Sequence, residues 1–120
     1  MKKIVFISLF IIFVILFFPI PFRGENGLYN TFSGTIYCQP KACVHEVGHK
    51  IDHMGKWPSK SQRFTETVIR LGFDFQLATV GAQETYAELF AFAKGQENNM
   101  PAELRRFYDW ELSDRILARY

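Results

Sequence analysis

The 120-residue chain has only three histidines, two cysteines and little excess of either charge, with 14 Lys and Arg against 12 Asp and Glu. Lys2 and Lys3 account for the whole net charge, so everything from Arg23 onward is neutral. A nucleic-acid module would show a basic excess, and its absence argues against such a partner. Two cysteines are too few for a disulfide-dense scaffold. No run of like charge and no low-complexity tract occurs, which excludes a disordered chain. The length excludes a multidomain enzyme.

What the chain does have is an unusual start. Ile4 to Phe18 contains Ser8 as its only polar residue and follows the two lysines. As a helix, Ile4 to Ile20 would be about 26 Å long at 1.5 Å per residue, within the range of a membrane span. Pro19 and Pro21 would end it, and no small-residue pair for signal cleavage follows. Residues 1–22 are therefore expected to anchor the chain in a membrane, with a cleaved signal and a secreted product as the alternative. Either way the lysines keep the start cytoplasmic and the rest extracytoplasmic.

Residues 23–33 read as a linker and 34–120 as one domain, mostly helical with a single edge strand. Gly34 to Cys38 has the β-branched and aromatic residues of that strand. A helix is expected from about Lys41 to Met54, stopped by Gly55. Ser59 or Ser61 can cap a second helix reaching Leu71, followed by a connection over 72–81. A third helix spans Ala82 to Ala93, and a fourth runs from Pro101 to about Trp110, with one or two turns after Ser113. The aromatics Phe64, Phe73, Phe75, Tyr86, Phe90, Phe92, Phe107, Tyr108 and Trp110 are expected to form the core.

The helix from Lys41 to Met54 carries His45-Glu46-Val47-Gly48-His49. Residues four apart share one helix face, so His45 and His49 can chelate a single ion. Glu46 lies about 100° round the helix, beside the ion, where a general base for a zinc-activated water belongs. By composition alone such a pattern arises in only about 3 of 1,000 chains of this length. Gly48, costing roughly 1 kcal/mol inside a helix, suggests the close approach of a second helix.

A catalytic zinc needs a third protein ligand and an open position. Glu84 is the candidate, because Ala87 and Ala91 share its face and would let its helix press against the first. Glu88, one turn on, could accept the free N–H of either histidine and so fix its ring. His53 forms a second i,i+4 pair with His49, but Lys50 would then occupy the place of the base. Asp52 is either a buried acid behind the ligands or a cap near the helix end. Cys38 and Cys43 read as buried thiols, with a disulfide as the alternative.

The stretches HEVGHKIDH and ETYAELFAFA together resemble the catalytic domain of the anthrax lethal factor-like zinc metallopeptidases, over roughly His45 to Phe92. That resemblance implies a small zincin-like α+β domain, mainly α, with an active-site helix, a glutamate-bearing helix and a short edge strand. It implies one zinc on His45, His49 and Glu84, Glu46 as general base, and Glu88 as an acid supporting the ligands. It also implies a peptide or protein substrate lying along the edge strand, at Thr35, Ile36 and Tyr37. The family's tyrosine shortly before the third ligand has no counterpart in Phe73 to Gln83. Tyr37, Tyr86 and Tyr120 are the candidates to replace it. A rival reading keeps the zinc but not turnover: a membrane-tethered interaction module.

Overall fold

The computed structural model describes residues 27–39 and 42–120. The expected anchor at 1–22 lies outside the described residues, among which no helix is long and apolar enough to cross a membrane.

The described chain opens with a hairpin rather than a linker. Strand β1 (Gly27–Asn30) runs antiparallel to β2 (Thr35–Cys38), pairing Gly27 with Cys38 and Asn30 with Thr35. The turn is built by Asn30, whose side-chain oxygen accepts from the Phe32 and Ser33 N–H groups at 2.9 and 3.2 Å. Gly34, at φ 69°, returns its N–H to the Asn30 carbonyl. The residues Gly-Leu-Tyr-Asn have little strand signal of their own, so β1 exists because β2 pairs with it.

A disulfide joins Cys38 at the end of β2 to Cys43 at the start of α1 (Cys43–Met54). This corrects the expectation of free thiols: the strand end and helix start place the two Cα atoms 5.1 Å apart, within bridging range. Gly55 ends α1 as expected. A 3-10 turn at Pro58–Lys60 leads into α2 (Gln62–Arg70), where Ser61 accepts from the Phe64 N–H at 3.1 Å.

Helix α3 (Asp74–Ala93) begins where a connection was expected and is interrupted at Gly81, with φ 86°. Gly72 and Gly81 do punctuate the chain, but residues 74–80 between them are helical, with Asp74 at the favourable end of the dipole. The chain then forms α4 (Ala102–Arg105) and α5 (Trp110–Leu117) in place of one helix through Trp110. Asp109 causes the division, because its carboxylate accepts from the Leu112 N–H at 3.0 Å and starts a new helix.

The core lies between α1, α2 and α3 and is closed by α4 and α5. Val47 and Ile51 meet Phe64, Val68, Tyr86, Leu89 and Phe90, all buried. Two tyrosines bury their rings and still pair their hydroxyls: Tyr86 donates to the Phe107 carbonyl at 2.7 Å, and Tyr108 to the Tyr86 carbonyl at 2.9 Å. Phe75 departs from the expected core and is 80% exposed, at the first turn of α3. Gly48 lies where α1 crosses α3, against Ala87, and permits the close approach that its position in the sequence suggested.

Candidate metal centre

The crossing of α1 and α3 brings His45, His49 and Glu84 together. His45 Nε2 and His49 Nε2 are 3.1 Å apart, and Glu84 reaches them at 3.1 Å through Oε2 and 3.0 Å through Oε1. Two ligand atoms on a tetrahedral zinc, at about 2.0–2.1 Å from it, are separated by about 3.3 Å. With one ligand atom taken from each, the three side chains lie within 4.8 Å of one another, close enough to share a metal ion. Two ring nitrogens in contact cannot both carry a proton comfortably, whereas one shared cation suits both.

The electrostatics fit a cation site. Hydrogen bonds from His45 and His49 hold the Glu84 carboxyl below the usual carboxylate range, against the opposing effect of burial. Burial alone would lower His49, but the hydrogen bond and charge of Glu84, with the charges of Glu46 and Asp52, together raise the imidazole. His45 is buried, while Glu84 is 42% exposed toward the solvent side.

Glu46 lies beside this triad, with Oε2 3.9 Å from His45 Nε2. Burial raises its carboxyl, opposed by the two histidines and by a backbone hydrogen bond from Tyr29. Strand β1 lies directly on it: a Cβ at Gly27 would stand 2.7 Å from Glu46 Cγ. A cavity of about 330 Å³ opens here, with Glu46, His49 and Glu84 on one side and Gly27, Tyr29 and Trp57 on the other.

The strand that walls the site is thus β1, not the expected β2. Ile36 is buried in the core, Thr35 and Tyr37 are exposed, and none of the three lines the cavity. Of the tyrosines considered as replacements, Tyr86 is spent on the Phe107 carbonyl, and neither Tyr37 nor Tyr120 lines the cavity. Tyr29 does line it, and its hydroxyl is 2.5 Å from His53 Nδ1. That bond places His53 outside the ligand triad, packed between Tyr29 and Trp57.

The two supporting acids have defined partners. Asp52 is fully buried and accepts from Ser59, from N–H at 3.0 Å and from Oγ at 2.6 Å. It anchors the loop that carries Trp57, whose own N–H bonds to the Asp52 carbonyl at 2.8 Å. Lys56 and Trp57 both adopt left-handed backbone, at φ 64° and 62°, and these bonds hold that conformation in place. Glu88 accepts from the Gln76 amide through Oε2, and its Oε1 is buried without a hydrogen-bond partner. Burial, then the Glu84 charge, pushes Glu88 up to about 7.

Tyr29, Trp57 and Gln76 were missed by sequence reasoning. Only Asn30 and Gly34, four residues apart around a turn, signalled the hairpin that carries Tyr29. The chain matches no family model, no curated protein and no solved structure, so the resemblance to the lethal factor-like peptidases rests on its two motifs.

Proposed function

We propose that this chain is a zinc metallopeptidase, tethered to a membrane by its apolar start and acting outside the cytoplasm. The observation that carries the reading is the convergence of His45, His49 and Glu84, with His49, Glu84 and the adjacent Glu46 lining an open cavity. A zinc ion held by those three residues would supply Lewis acidity, polarising a peptide carbonyl and making water acidic near neutral pH.

The chain's own residues do the rest. Glu46, raised by burial, is placed to take a proton from the attacking water and return it to the departing amine. The open edge of β1 offers a wall for an extended peptide, in the manner of strand addition. Trp57 and Tyr29 supply apolar surface against its side chains.

The test is zinc per chain and hydrolysis of a peptide library by the full chain, Glu84→Ala and Glu46→Gln. Wild type should hold one zinc and cleave, Glu84→Ala should lose zinc, and Glu46→Gln should keep it with turnover reduced at least about 100-fold. Bound zinc without cleavage of any peptide would favour the rival reading of a zinc-containing interaction module. No zinc in the folded wild type would overturn both.

A further inference from the structure

The hairpin presents two unlike faces. Ile36 is buried and Tyr29 half-buried, while Leu28 and Tyr37, paired across the strands, are 59% and 57% exposed, Leu28 also standing at the wall of the cavity. Phe32 stands at the tip of the turn and is fully exposed. Residues 27–38 include no charged side chain, so nothing polar interrupts this outward surface except short hydroxyl and amide groups. Three large apolar side chains on one small hairpin form the kind of patch that marks a contact surface.

Where the hairpin lies along the chain identifies its occupant. The apolar run ends at Ile20, and β1 begins at Gly27. Seven residues span at most about 25 Å, even fully extended. If Ile4–Ile20 crosses a bilayer, the hairpin cannot leave the vicinity of its surface. Tyrosine and phenylalanine beside an uncharged turn suit the zone between headgroups and acyl chains. Lys50 donates to the Gly34 carbonyl at 2.7 Å and so brings a cation next to the tip, where lipid phosphates would lie.

We propose that Phe32 and Tyr37 insert into the outer surface of the same bilayer that holds the anchor, docking the domain on the membrane. This rests on the anchor reading but not on zinc or turnover. The test uses Phe32→Trp in the full chain, reconstituted into vesicles whose lipid is brominated near the top of the acyl chains. Phe75→Trp is the reference, since Phe75 is 80% exposed on another part of the surface. Wild-type emission from Trp57 and Trp110 is subtracted.

The Phe32→Trp signal should shift to the blue and be quenched several-fold more strongly than that of Phe75→Trp. Equal, water-like emission from both would overturn the docking while leaving the anchor intact, provided that the chain floats with the vesicles. A blue shift that grows with protein concentration without bromine quenching would also overturn it, showing that a second copy covers the patch. Failure of the chain to float would overturn anchor and docking together.

Discussion

Gly48 of α1 and Ala87 of α3 meet backbone to backbone: a methyl group at Gly48 would stand 2.9 Å from Ala87 Cα and 3.2 Å from its carbonyl oxygen. Helix α3 also carries Glu84, so this contact fixes how far Glu84 stands from the two histidines. Gly48→Ala should therefore act twice. The alanine gains about 1 kcal/mol of helix propensity, but overpacking against backbone costs about 1–3 kcal/mol. Thermal unfolding of the metal-free variant should show a net loss, and zinc titration an affinity at least about tenfold weaker, as expected when a ligand is displaced. Unchanged affinity would mean that Glu84 does not depend on this crossing.

The metal-free protein should lose stability as pH rises. Glu46, Asp52 and Glu88 are raised by burial, and His49 is raised by Glu84. Each then holds more protons folded than unfolded between its two pKa values, so stability declines through that interval. For Glu88 the interval runs from 4.5 to about 7. Glu84 has the opposite sign: its contribution is present above the ordinary carboxylate range and is lost only in stronger acid. Urea midpoints with chelator should fall from pH ~5 upward, and Glu88→Gln should remove about 2–3 kcal/mol of that fall. Zinc bound as proposed should reverse the slope, because it needs unprotonated imidazoles.

The Cys38–Cys43 bridge closes a loop of only a few residues. Loop entropy assigns such a short closure about 2 kcal/mol. Reduction, or the paired change to serine, should lower stability in urea by that amount without changing zinc per chain, since neither sulfur is in the candidate set of His45, His49 and Glu84. Loss of zinc on reduction would show that β2 holds α1 in place.

Asp52→Ala strands the Ser59 N–H and hydroxyl in the interior, at a cost of about 2–4 kcal/mol for two bonds to a carboxylate. The loop should release Trp57 from its left-handed position, and in a Trp110→Phe background its emission should move to the red. A fixed emission would mean that the Lys60 ammonium, 4.7 Å over the indole, suffices to hold it.

Which parts of the site could be read from the chain follows from the range of the forces involved. His45 and His49 were legible because helical spacing alone puts them on one face, and Gly48 because an interior glycine is costly unless something presses on it. Glu84 was legible through its motif and the small residues of its face. Tyr29 was not, since a four-residue strand of weak propensity forms only once a partner pairs with it. Gln76 lay between two glycines that resembled loop punctuation, yet only Gly81 breaks the helix. Asp52 remained ambiguous until Ser59, seven positions away, was seen to take both of its oxygens. Phe75 shows the converse: an apolar residue between helical segments need not find the core.

His49 and Glu84 are 35 positions apart, and that separation bears on how long the folded state lasts. Two ligands are available as soon as one helical turn forms, but the third arrives only after α3 has docked. If α3 docks after the rate-limiting step, zinc bound as proposed adds most of its stabilisation beyond the folding barrier. Zinc should then slow unfolding far more than it speeds refolding. For a domain exposed to neighbouring proteases, the metal would set its lifetime as well as its chemistry.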